Sequence, residues 1–223
     1  MEEKGRTRHD YHEALAQVTQ EVLAMGVLVQ KALRGALEGL VKGDLEAARK
    51  VIRGEPEIDR MQTAIEDRAV TLVATEQPVA TDLRRLVTGL KIVTQLERMG
   101  DHAAHVARAA LELAGGSKAA LPPQIDQMGR LASDMLRAAL KAMVDYDAAE
   151  TAALMDMDRR MDALYHEAAA LLTARMRQAP EQVDASLPLI FVCRHLERLA
   201  DQATNIGEWT VYGETARHVE LNP

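Results

Sequence analysis

The sequence predicts an all-α protein built as two tandem, sequence-repeated three-helix bundles. Three observations carry that expectation. Apolar residues recur at helical spacing along most of the chain; one eleven-residue phrase is written twice, 100 positions apart; and the 223 residues are rich in Ala, Leu, Met and charged side chains, with 3% aromatics and a single Phe. Such a composition suits long amphipathic helices and leaves little for sheets. A chain of this length buries a sizeable core as one large domain or two small ones, and the duplication favours two.

In the first half, Leu15, Val18, Val22, Met25, Leu28 or Val29, Leu33, Leu37 and Leu40 follow helical spacing from about His9 to Lys42. Gly43-Asp44 breaks and recaps the chain. A short helical run to Arg53 is expected to stop at Gly54-Glu55-Pro56, because an interior proline removes a hydrogen bond and clashes with the preceding turn. A second long helix is predicted from Pro56 towards Thr75, and Pro78 punctuates again. Thr81 or Asp82 then caps a third helix with Leu86, Leu90, Val93, Leu96, Met99, Ala103, Val106, Ala110 and Leu113 as its apolar stripe, ending at Gly115-Gly116-Ser117.

The stretch from Gly115 to Pro123 combines helix-ending glycines with two prolines and is the strongest boundary in the chain. It divides the sequence into a first bundle, 1–116, and a second, 117–223. The pattern then restarts with Met128, Leu131, Met135, Leu136, Ala139, Leu140 and Met143. Asp145 to Ala149 echoes Asp44 to Ala48, and Met157-Asp158-Arg159-Arg160-Met161 echoes Ile58-Asp59-Arg60-Met61 and opens a helix to about Arg177. Pro180 takes the part of Pro78. The last helix carries Leu189, Val192, Leu196, Leu199, Ala203, Ile206 and Trp209 inward, and Pro188 implies a start near Ser186 or a kink. Short turns between helices give antiparallel bundles with coiled-coil-like packing.

The formal charge of −7 and pI near 5.5 argue against a nucleic-acid partner, whose binding face would be basic. The charged N-terminal stretch lacks the apolar segment of a signal peptide, and no apolar run approaches the length of a membrane span, so a cytoplasmic chain without direct membrane insertion is expected. The lone Cys193 lies in an apolar run and reads as a small buried hydrophobe. The methionines recur at helical spacing and read as core. Gly115-Gly116-Ser117-Lys118 lacks the spacing of a phosphate loop and reads as a linker. His9, Tyr11 and His12 read as a solvated helix start. Arg84-Arg85 reads as a solvated face or a contact for an acidic partner.

The doubled phrase is Leu96 to Val106 (LERMGDHAAHV) and Leu196 to Ile206 (LERLADQATNI). Its heart, Glu97-x-x-x-Asp101 and Glu197-x-x-x-Asp201, places two carboxylates one turn apart on one helix face, where like charges repel by a few tenths of a kcal/mol. A single copy is commonly a solvated pair, and Arg98, Arg194 and Arg198 stand three residues from these acids, as surface ion pairs do. A cation is the alternative. Four residues past each Asp stands a third potential ligand, His105 in one half and Asn205 in the other, and Glu208 extends the second row. The repeat nominates a second helix: Asp59 and Asp158 occupy matching places, with Glu57 and Asp156 two residues earlier and Asp162 one turn beyond Asp158. Oxygen donors with an occasional imidazole suit Mg, Mn, Fe or Zn. The second set is the richer in oxygen donors, so it is the one expected to fill first.

The run from Gln77-Pro78-Val79-Ala80-Thr81-Asp82-Leu83-Arg84-Arg85-Leu86 through Leu90-Lys91-Ile92 to Leu96-Glu97-Arg98-Met99-Gly100-Asp101 resembles the PhoU family of phosphate-uptake regulators, as does Leu196 to Ile206. The resemblance covers essentially the full length. It implies multinuclear iron or zinc clusters held on each bundle by the Glu-x-x-x-Asp motifs. It also implies a negative regulator of the phosphate-starvation response, linking the ATPase of the phosphate ABC transporter to a phosphate sensor histidine kinase, and not an enzyme. A homodimer is expected. His105 stands where the family usually has Asn, and Gln202 where its second half often has His. Three rival readings remain: an accessory protein of a low-affinity phosphate carrier; a di-iron carboxylate oxidase, against which stands the lack of Glu-x-x-His; and a metal-free interaction module whose carboxylates only form ion pairs.

Overall fold

Six helices follow the order in which the apolar repeats place them. They are α1 (Glu2–Lys42), α2 (Leu45–Glu76), α3 (Thr81–Gly115), α4 (Pro123–Asp145), α5 (Ala148–Gln178) and α6 (Val183–Thr215), with one 3-10 turn at Pro180–Gln182. The computed structural model describes residues 2–115, 120–145 and 148–221, and the side chains of 2–12 and 148–150 lie outside that description. The expectations for Gly116, Ser117, Lys118, Tyr146, Asp147 and the side chains of His9, Tyr11 and His12 therefore fall outside the described residues. Among the described residues there is no strand.

α3 and α6 are the central helices. α3 packs on α1, α2 and α6; α6 packs on α4, α5 and α3; and α1 meets α4 across the two halves. α3 and α6 run antiparallel. Arg84 Nε, at the start of α3, donates to the carbonyl of Gly213 near the end of α6 at 3.1 Å, while His102 lies beside His195 at the other end. Their inward residues are those of the apolar stripes, with Leu86, Val93, Leu96, Met99, Leu189, Val192, Leu196 and Leu199 all buried. Cys193 is fully buried and burial pushes its thiol up to about 12, so it packs as a hydrophobe. α1 and α4 approach closely because Gly129 leaves room for Leu37: any side chain at 129 would overlap its Cδ2.

Two boundaries differ from expectation. α2 runs unbroken through Pro56, where a stop was expected. Val51 and Ile58, on either side of the proline, are both buried, so a break would unseat one of them from the core. The proline itself is exposed, and the single hydrogen bond it removes, to the carbonyl of Ile52, is offset by that burial. α6 starts at Val183, three residues before Ser186, and carries Pro188 in its second turn. There the proline forfeits only the bond to Asp184. Asp44 caps α2 as expected, its carboxylate accepting from the backbone N–H of Ala47 at 3.0 Å.

Candidate metal centre

The site begins with a close helix crossing. Gly100 of α3 faces Ile58 of α2, and a Cβ at 100 would lie 2.8 Å from Ile58 Cδ1. That approach sets Asp59, the next residue of α2, beside the carboxylates of α3. One oxygen each of Asp59, Glu97 and Asp101 lie within 4.8 Å of one another. Oxygens about 2.0–2.2 Å from a shared ion are at most about 4.4 Å apart, so small rotamer adjustments close the set on a cation.

The electrostatics favour that closure. Burial raises the Glu97 carboxyl above its ordinary value, and the charges of Asp101 and Asp59 raise it further. Burial likewise raises Asp101, followed by Glu55 and Asp59. Two half-buried anions and the exposed Asp59 therefore repel one another, and a cation between them would relieve the repulsion. The donors are oxygen only, a set that fits magnesium, manganese, iron or zinc.

The second set lies between α5 and α6. Asp158 is 5% exposed, and its carboxyl is pushed up to about 6 by burial, then by Asp162, Asp201, Glu197 and Glu208. Glu197 is raised too, by burial and then by Asp201. The acids are more numerous here but converge less, because guanidinium groups hold two of them. Arg194 Nη1 lies 2.5 Å from Glu197 Oε1, and Arg198 Nη1 3.5 Å from Asp201 Oδ2. Glu208 accepts from the backbone N–H of Leu221 at 2.7 Å. The other oxygen of Glu197 is buried with no hydrogen-bond partner, which leaves it open to a cation. Among the described residues, the first-half triad is the group that brings three His, Cys, Asp or Glu donors within 4.8 Å of one another.

Two expected ligands stand elsewhere. His105 is exposed and stacks on His195 of α6, with ring centroids 4.5 Å apart. Asn205 donates from Nδ2 to Gln95 Oε1 of α3 at 3.4 Å. Four residues advance a helix by one turn plus about 40°, and that rotation carries both side chains from the carboxylate face to the α3–α6 junction. Glu57 and Asp156 also lie off the sites. Glu57 borders a groove with Lys31 and Arg34 of α1, and Asp156 pairs with Arg159 at 3.2 Å. Sequence reasoning missed Glu55, which faces Asp101 and is paired with Arg108 at 3.6 Å. Its signal was available: Glu55-x-x-x-Asp59 has the same spacing as the doubled motif, but the helix stop expected at Pro56 hid it.

Tandem helical bundles whose central helices each face a neighbouring helix with clustered carboxylates define a class of duplicated, acid-faced helical proteins. The family profile described as PhoU domain matches twice, over residues 22–110 and 125–210, and the chain belongs to the PhoU family. It is 35% identical over 97% of its length to a phosphate-specific transport system accessory protein PhoU homolog of Clostridium acetobutylicum, covering 99% of that protein. It is 34% identical to the homolog of Caulobacter vibrioides, over 91% of this chain and 88% of that one. The crystal structure of PhoU from Pseudomonas aeruginosa superposes with a TM-score of 0.89 at 31% identity, over 93% of this chain and all of that one.

Proposed function

We propose that the chain is a negative regulator of phosphate uptake and of the phosphate-starvation response. It acts in the cytoplasm as a metal-binding adaptor between the ATPase of the phosphate ABC transporter and a phosphate sensor histidine kinase. The observation that carries this reading is the carboxylate triad of Asp59, Glu97 and Asp101 on a chain whose relatives are named as phosphate-specific transport system accessory proteins. Asp59, Glu97 and Asp101 hold metal in the first half, and Asp158, Asp162, Glu197 and Asp201 in the second. Iron or zinc is the favoured metal, with magnesium or manganese as substitutes. The two repeats, 1–116 and 117–223, are its structural units, and a homodimer is its working form.

Catalysis has no part in this reading: the clusters shape a docking surface. Support comes from the raised carboxyls, which a cation would return to the ionised form. The experiment is deletion in the source organism followed by transcript measurement in phosphate-rich medium. Phosphate-starvation genes should be derepressed, and the native chain should restore repression and co-purify with the transporter ATPase or the kinase. Normal repression in the deletion strain would end the proposal.

A further inference from the structure

Three imidazoles meet where α3 passes α6. His102 and His105 come from α3 and His195 from α6. Nδ1 of His102 lies 3.2 Å from Nδ1 of His195, and the His105 ring stacks on His195 with centroids 4.5 Å apart and the two planes 3° apart. The repeat makes this cluster informative. One hundred positions away, the equivalents of His195, His102 and His105 are Gln95, Gln202 and Asn205. At that end of the same interface the amides serve, with Asn205 bonded to Gln95. Packing and hydrogen bonding across α3 and α6 therefore do not require imidazole, yet all three positions carry it at one end.

We propose that His102, His105 and His195 form a transition-metal site, separate from the carboxylate clusters, that takes zinc or a similar imidazole-preferring divalent ion at the junction of the two bundles. A tetrahedral ion about 2.0–2.1 Å from two imidazole nitrogens holds them about 3.3–3.4 Å apart. The 3.2 Å between the Nδ1 atoms is already close to that span, and the ring planes are tilted by 43° rather than stacked. His105, stacked parallel to His195, cannot aim at the same ion as it stands. It is exposed, and turning about its side-chain torsions brings it in as the third ligand, with water as the fourth. The charges around the cluster permit a cation. Arg194 and Arg198 face His102, and each is already paired with a carboxylate. Asp101 faces His105 from one turn earlier on α3. Burial keeps His102 and His195 neutral, with their lone pairs free for a metal or a shared proton.

The alternative is a ring pair that only shares a proton, since 3.2 Å also suits an N–H···N bond. Long-range 1H–15N spectra of the imidazoles separate the two, using the full chain without zinc and with zinc added in steps until it exceeds the capacity of the carboxylate clusters. The Nδ1 resonances of His102 and His195 should move together to metal-bound positions, with Nε2 carrying the proton. In calorimetry on a Glu97→Gln, Asp101→Asn, Glu197→Gln, Asp201→Asn background, His102→Ala or His195→Ala should each weaken zinc by more than about 100-fold, beyond the 10–100-fold typical of losing an outer partner, and His105→Ala by about 10-fold. Ring nitrogens unmoved with zinc in excess of the carboxylate clusters, or an unchanged affinity in His195→Ala, would overturn the proposal. If the fourfold background does not fold, the ring spectra of the native chain decide alone, because zinc held by carboxylates leaves the Nδ1 positions unchanged.

Discussion

Asp158 is the carboxylate whose removal should make the metal-free protein more stable. Its folded-state carboxyl sits at about 6 against an ordinary 3.8, raised by burial and by Asp162, Asp201, Glu197 and Glu208. A difference of about two pH units at about 1.36 kcal/mol each is about 3 kcal/mol. Solvent screening of the neighbouring exposed acids reduces this to about 1–2 kcal/mol. The sign follows from linkage: between about pH 4 and 6 the folded chain holds a proton the unfolded chain has released, so stability falls as pH rises through that window and the full cost is in place above it. Asp158→Asn should therefore stabilise by about 1–2 kcal/mol at pH 7, measured by urea unfolding in chelator, and give no gain below pH 4. Adding manganese or zinc should reverse the order, because the native chain then gains binding energy the variant lacks. A destabilised variant at pH 7, or a gain as large at pH 4, would refute the reasoning.

Other outcomes follow from the same contacts. Arg194→Gln frees Glu197 from its 2.5 Å ion pair and should tighten manganese binding in the second half by about 2–5-fold, the equivalent of a surface pair; calorimetry that finds weaker binding would contradict this. Gly129→Val should cost about 1–3 kcal/mol of stability by forcing Leu37 from the α1–α4 contact, measured as a lower urea midpoint at constant slope. Below pH 6.5 the half-buried His102 and His195 stay neutral to about 4 while the unfolded chain takes up protons, so they oppose folding increasingly as pH falls through that window. His195→Phe should flatten that part of the stability profile, and an unchanged profile would show that the rings titrate as in water.

The helical order and the core were written in the apolar spacing, because a helix buries a face and the face repeats every three to four residues. Leu86, Val93, Leu96 and Met99 are buried where the stripe put them. The proline at 56 was misleading for a physical reason: local chain energetics favour a stop, and only the tertiary burial of Val51 and Ile58 carries α2 across it. Asp59 was legible from the repeat, and the structure brings it to Glu97 and Asp101. Glu55 was not, because its place on α2 depends on the helix continuing. His105 and Asn205 share a helix with their motifs but belong to the α3–α6 junction: the drift of about 40° per four residues is in the spacing, but the side on which α3 and α6 meet is set by tertiary packing.

The central claim is that the carboxylates of α2 with α3, and of α5 with α6, hold metal. A crystal of the chelator-free protein, with anomalous difference maps collected on both sides of the iron and zinc edges, tests it most directly. The expected result is anomalous density among Asp59, Glu97 and Asp101, and among Asp158, Asp162, Glu197 and Asp201, lost in the fourfold Glu97→Gln, Asp101→Asn, Glu197→Gln, Asp201→Asn variant. Both carboxylate sets without anomalous density, in protein grown with iron and zinc supplied, would contradict it and leave the acids as ion-pair partners of their neighbouring arginines.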